Sequence, residues 1–172
     1  MNNSFSCQEG NSESQDSEPP EPSPIKRVDL MVDDGVNDVD ASWLVNCTEK
    51  VLDELALINV TIAIRAITDE VMSAMHVEHS NVEGTTDVLT FQHSAEGEQL
   101  SVDIAVCVDE AKRQASERSH SVNHELLLYV VHGILHCTGF DDHSTVEHEK
   151  IHKEEDRILQ AIGVGPVWSK SC

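Results

Sequence analysis

The sequence predicts an α/β (α+β) domain, a sheet of about four strands with about five helices. Three observations predict it. The apolar spacing switches repeatedly between two residues and 3.6 residues, as it must where strands alternate with helices. The chain has 172 residues, and once the compositionally different residues 1–24 are set aside the remainder suits one domain with a sizeable core. A strongly apolar segment, 121–143, contains His132-Gly-Ile-Leu-His136 and then, past Gly139, His143.

The elements follow in order. Arg27 to Val32 alternates and reads as a strand, turned by Asp33-Asp34-Gly35. Residues from about Asp40 to Leu57 form an amphipathic helix with Trp43, Leu44, Cys47, Val51, Leu52 and Leu55 inward. Val60 to Ala66 is β-branched with a period of two, hence a strand. Thr68 caps a short helix from Asp69 to about His79, with acids in its first turn. Val88–Gln92 and Leu100–Val108 are strands joined by a polar turn, Ser94–Gln99. A helix from Asp109 to about Arg118 precedes the histidine helix, about Val122–Cys137. Ser144 and Glu147 form a capping-box pattern opening a last helix that stops near Gly163.

Residues 1–24 hold four of the five prolines and five acids (Glu9, Glu13, Asp16, Glu18, Glu21) with no base. Such a segment buries too little apolar surface to offset its ordering entropy, so a disordered acidic Ser/Pro-rich tail is expected. It has neither the basic start nor the apolar run of a secretory signal. The expected organisation is this tail, a single domain over 25–165, and a short tail over 166–172. No stretch approaches the ~20 apolar residues a membrane span needs. The five cysteines (Cys7, Cys47, Cys107, Cys137, Cys172) are scattered, odd in number and without a Cys-x-x-Cys, which favours free thiols in a reducing cytoplasm. Cys137 lies one helical step, ~100°, from His136 and is expected to face the core rather than a metal.

The formal charge of −21 argues against tight, autonomous nucleic-acid binding, which phosphate contacts usually dominate. A local basic patch or a bound metal can still face phosphate. Lys112, Arg113 and Arg118 on one helix are candidates for such a patch, although a run of this kind is more often a solvated face.

Histidines four apart share one helix face, so both imidazoles of His132 and His136 can reach one metal. The pattern alone is common. Here Leu126, Leu127, Val130, Val131, Ile134 and Leu135 make the other faces apolar, so the pair is expected to be buried and to need polar partners. Gly139 stands where a helix-ending left-handed residue belongs, and His143 follows on the returning chain. Three imidazoles would leave one position of a tetrahedral Zn²⁺ open, the mark of a catalytic site. Zinc lowers a bound water's pKa from about 15.7 toward ~7, so a hydrolase follows. Zinc proteases of the His-Glu-x-x-His kind carry their general base just after the first histidine. That place is Gly133, which cannot accept a proton.

His132-Gly-Ile-Leu-His136-x-x-Gly139-Phe140-Asp141-(Asp142)-His143 resembles the motif of the YbeY family, His-Gly-x-Leu-His-x-x-Gly-Tyr-Asp-His. Thr86-Asp87-Val88-Leu89-Thr90-Phe91 resembles that family's Thr-Asp-Val-Leu-Ser-Phe, and Val102-Asp103-Ile104 more weakly its Gly-Asp-Ile. The resemblance covers roughly residues 27–164. It implies a mixed, zincin-like α/β fold and a zinc-dependent, single-strand-specific endoribonuclease of rRNA maturation, acting at the 16S rRNA 3′ end in the cytoplasm. The implied partners are rRNA, the small ribosomal subunit and ribosomal proteins, with no membrane and no DNA.

The expected metal ligands are His132, His136 and His143, holding one Zn²⁺ per chain. Asp141-Asp142 stands where the family has a single Asp, which moves His143 one residue further on. Asp142 through oxygen, or His148 or His152 from the last helix, are therefore alternative third ligands. The plain reading of His148 and His152 is a solvated face shared with Glu147, Glu149, Glu154 and Glu155. Asp87, Asp141 and Asp142 are the candidate catalytic acids, fixing an imidazole N–H or orienting water. Glu125 falls on the His132 face and either buttresses the site or caps the helix. Many family members carry an arginine where this chain has Ser80, and no arginine lies between Arg65 and Arg113. A cation for the developing phosphate charge would then be the zinc, His76, His79 or a residue distant in sequence. The competing expectation is a ribosome-assembly binding factor whose metal is mainly structural, and a weaker one a metal hydrolase acting on peptides.

Overall fold

A computed structural model describes residues 24–94 and 99–168. Nine elements run β1 Lys26–Val32, α1 Ala41–Glu54, β2 Val60–Ile67, α2 Asp69–Ser80, β3 Val88–Gln92, β4 Leu100–Cys107, α3 Val108–Arg118, α4 Val122–Cys137 and α5 Thr145–Ala161. The expected disordered tail lies outside the described residues except for Pro24, as do 95–98 of the expected turn and 169–172 at the C-terminus.

The four strands form one mixed sheet in the order β1-β2-β4-β3. β1 and β4 both lie parallel to β2, with Ile62 opposite Val28 and Val102, and Ile64 opposite Leu30 and Ile104. β3 is antiparallel to β4, as a short hairpin connection allows, with Val88 opposite Val106. The period of two in β2 puts Val60, Ile62, Ile64 and Ala66 into the main core with Leu44, Val51 and Leu52 of α1. Its large partner is α4, whose Leu126, Leu127, Val130, Val131, Ile134 and Leu135 are all buried. At one end of the opposite face Met72 of α2 joins Ile67, Ala105 and Cys107 in a smaller cluster.

Helix α4 is the hub: it packs against α1, α3, α5, β3 and β4. Its approach to the sheet is set by Gly133, where a Cβ would stand 2.6 Å from Thr90 Oγ1. Glycine is therefore required for packing as well as being unable to act as a base. The helix starts where Ser121 Oγ accepts the His124 amide (3.2 Å). It stops in a left-handed turn at Gly139 (φ +98°). There the Phe140 amide donates to Leu135 (3.1 Å) and the Gly139 amide to His136 (3.2 Å), the paired bonds of a Schellman ending. Helix α5 opens on the expected capping box of Ser144 and Glu147.

Two boundaries differ from the sequence expectation. α1 stops at Glu54 rather than running to Leu57, because Ala56 adopts φ +54° without a glycine or proline to announce it. β4 passes directly into α3 at Cys107–Val108, one residue before the expected border. Residues 164–168 are irregular, as expected, yet anchored: Val167 is buried, and Asp156 Oδ1 accepts the Val167 and Trp168 amides (both 2.9 Å).

Candidate metal centre

The site is built at the end of α4. The i, i+4 spacing places His132 Nε2 and His136 Nε2 2.9 Å apart. The Schellman turn brings the chain back, so the Phe140 carbonyl stands 3.2 Å from His136 Nδ1. Asp141 then turns the loop, its Oδ1 accepting the Asp142 amide (2.7 Å) and the His143 amide (3.3 Å). That turn swings Asp142 inward, with Oδ2 3.8 Å from both His132 Nε2 and His136 Nε2. His132, His136 and Asp142 thus offer ligand atoms that all lie within 4.8 Å of one another. His143 stands outside that trio. Its side chain is 87 % exposed, with Nε2 3.5 Å from Asp141 Oδ1 and Nδ1 3.9 Å from Asp142 Oδ1. The extra residue therefore puts a carboxylate, not the third imidazole, against the histidine pair.

Beneath the pair lies Glu155 of α5, fully buried, whose Oε1 takes the His132 Nδ1 proton at 2.7 Å. Its Oε2 takes the His152 Nδ1 proton at 2.6 Å. Burial disfavours the charged form of His132, but the Glu155 contact outweighs it. Asp87 and Asp142 add negative potential, and the His132 pKa lies above the usual imidazole value. The reading of His152 and Glu155 as a solvated face is overturned, since both are buried; His148 is exposed. The signal was in the sequence. Glu155 sits at i+4 from Ile151 and i−3 from Ile158, in the middle of the apolar stripe of α5.

A cavity of about 380 Å³ opens beside His132, lined among others by Asp87, Arg118, Glu125, Tyr129, Glu155 and Trp168. Asp87 reaches it from the start of β3, its Oδ1 accepting Thr86 Oγ1 (3.0 Å) and the Val88 amide (2.9 Å). Glu125, 1 % exposed, buttresses the wall rather than the metal group, accepting from Arg118 (3.3 Å) and from His120 Nε2. Burial, with the Glu125 charge behind it, keeps the Tyr129 phenol protonated. Arg118 is a cation from a position distant in sequence, its guanidinium 4.7 Å from the Trp168 ring centroid. The three basic residues of α3 do not gather into the candidate patch. Lys112 pairs with Asp38 and Asp109, Arg113 with Asp69 and Glu110, and only Arg118 turns to the cavity. His79 packs edge-on against Phe91 and His76 bonds the Gly84 carbonyl, so both are engaged elsewhere. Cys137 packs against the core, as its helix position requires.

The donor set fits a divalent metal. Acceptors at both Nδ1 atoms place the protons there and turn both Nε2 lone pairs toward one point. Two nitrogens each 2.0–2.1 Å from one ion stand about 2.9–3.4 Å apart for right-angle to tetrahedral geometry. The 2.9 Å separation suits a shared cation.

The family described as Endoribonuclease YbeY matches residues 32–163. A Frankia alni protein named Endoribonuclease YbeY is 30 % identical over 138 residues, which cover 73 % of this chain and 76 % of that protein. An Aquifex aeolicus protein of the same name is 32 % identical over 117 residues, 66 % of this chain and 78 % of that one. The solution structure of a Thermotoga maritima protein has the same fold, with TM-score 0.55, 23 % identity, and coverage of 84 % of this chain and 97 % of that one. The family match over residues 32–163 and the 30 % identity to a relative covered over 76 % of its length lead to one conclusion: the chain belongs to the endoribonuclease YbeY family.

Proposed function

We propose that this chain is an endoribonuclease of rRNA maturation, using one zinc ion held by His132, His136 and Asp142 in a zincin-like arrangement. Family membership makes it a nuclease acting on RNA, a hydrolase. The observation that carries the metal is the convergence of His132 Nε2, His136 Nε2 and Asp142 Oδ2 beside an open cavity. A divalent ion there supplies Lewis acidity and an activated water. The protein's own groups do the rest. Glu155 and the Phe140 carbonyl hold the imidazoles in their ligating tautomers. Asp87 faces the cavity as the candidate proton acceptor and water-orienting group. Arg118 lines the cavity while paired with Glu125 (3.3 Å), and it is the candidate cation for a scissile phosphate in place of the arginine absent at Ser80. Gly133 supports RNA over peptide as substrate, because neither a base nor any Cβ fits there.

On the family resemblance the substrate is single-stranded rRNA near the 16S 3′ end, within the small ribosomal subunit, in the cytoplasm. No helix among the described residues is long and apolar enough to cross a membrane. The test is cleavage of a structured rRNA precursor by the zinc-loaded chain, beside His132→Ala and a chelated sample. Cutting by the wild type alone supports the reading; no cutting by the zinc-loaded wild type overturns it. The capture of Lys112, Arg113 and Arg157 in carboxylate pairs favours a second reading, a ribosome-assembly binding factor. Under that reading His132→Ala still binds precursor particles and restores assembly in cells lacking the wild-type chain.

A further inference from the structure

We propose that α5 carries a second metal site, built on His148 and His152, that takes a transition-metal ion independently of the His132 group. His148-x-x-x-His152 repeats on α5 the spacing of His132-x-x-x-His136 on α4. Its Nε2 atoms stand 3.2 Å apart, inside the same 2.9–3.4 Å window expected for two imidazoles on one ion. The supporting contact is repeated as well. One carboxylate serves both pairs, Oε1 of Glu155 taking Nδ1–H of His132 and Oε2 taking Nδ1–H of His152. Each ring is thereby fixed with its Nε2 lone pair outward, one toward His136 and the other toward His148.

The site is preorganised. His152 is buried and stacks on Trp168, centroids 3.5 Å apart and planes 7° from parallel. Trp168 is itself held by the Asp156 carboxylate at its amide. The His152 ring therefore cannot turn away. His148 is exposed and meets Trp168 edge-on, so the remaining coordination positions open to water along a cleft that Asp156 also lines. Two imidazoles select borderline ions over Mg²⁺ or Ca²⁺, with Cu²⁺ and Ni²⁺ ahead of Zn²⁺ and other first-row ions. The alternative is a plain His148–His152 hydrogen bond, which needs no ion.

Trp168 makes the two distinguishable, because Cu²⁺ at His152 would sit against its stacking partner and quench its fluorescence. Untagged full-length protein, first loaded with zinc, is titrated with Cu²⁺ while bound metal is counted by equilibrium dialysis. The expected result is a second ion per chain with quenching of tryptophan emission, both lost or weakened at least tenfold in His148→Ala. Because His148 is on the surface, that variant keeps the fold, which circular dichroism checks. His132→Ala should lose the zinc yet keep the Cu²⁺ site, so failure of the catalytic reading is separable from failure of this one. Only one ion per chain in the wild type, or a second ion unchanged in His148→Ala, overturns the proposal.

Discussion

Asp141 and Asp142 show how one added residue redistributes roles. Asp141 spends its carboxylate on the backbone of the turn, and Asp142 inherits the place facing the histidines. Asp142→Ala should therefore lower metal content sharply, whereas His143→Ala should leave it within error of wild type; elemental analysis of both decides, and the reverse pattern restores His143 as ligand. Glu155 reaches no ligand position but fixes the His132 tautomer, so Glu155→Gln should weaken zinc binding about 10–100-fold, read by chelator competition. Had Glu155 been the exposed residue its neighbours suggest, that substitution would be silent.

At the scale of elements, α4 is placed by a contact rather than by its propensity. A Cβ on Gly133 would stand 2.6 Å from Thr90 Oγ1, so Gly133→Ala forces α4 and β3 to shift against each other at Thr90. Overpacking of this kind costs about 1–3 kcal/mol, and chemical denaturation should show it together with loss of metal, since both ligands ride on the displaced helix. Helix α5 depends on its reciprocal cap. Ser144→Ala removes the acceptor of the Glu147 amide (3.2 Å) and should cost about 1 kcal/mol with little effect on zinc affinity. The caps, the Gly139 stop and the amphipathic spacings were legible in the sequence because each is a local interaction within one turn of helix. The early end of α1 was not, because Ala56 takes its positive φ to suit the packing of Leu57 and carries no residue type that signals it.

At the scale of the whole molecule, ion pairs tie distant elements together, as Arg65 with Asp33, Arg113 with Asp69 and Arg157 with Glu54 do. Arg113 donates to both oxygens of Asp69 (2.7 and 2.8 Å), tying the start of α2 to α3. With Cys107 and Thr85 also bonding it, the Asp69 pKa is lowered from 3.8 to about 2. A carboxyl whose folded pKa is depressed contributes stability that is complete above its unfolded pKa and is lost as pH falls through the folded one. The Asp69 contribution is thus present above about pH 4 and disappears toward pH 2. Asp69→Asn should be less stable than wild type at neutral pH and should lose less of its urea midpoint between pH 4 and pH 2. Equal acid sensitivity in the two proteins would remove Asp69 from the account. The partial exposure of this pair keeps its absolute worth small.

By itself the sequence determined the kinds of element, their order, the histidine pair and the family, since periodicity, caps and motif spacing are properties of neighbouring residues. Tertiary structure decided the strand order β1-β2-β4-β3, the choice of Asp142 over His143 beside the pair, and the burial of Glu155 and His152. It also brought Arg118 and Trp168 to the cavity wall. The reason is distance along the chain. His132 and Glu155 are 23 residues apart, and although the apolar stripe of α5 marks Glu155 as inward, only the docking of α5 on α4 sets it against His132. A side chain is solvent-facing or buried only with respect to a partner surface, and that surface belongs to another element.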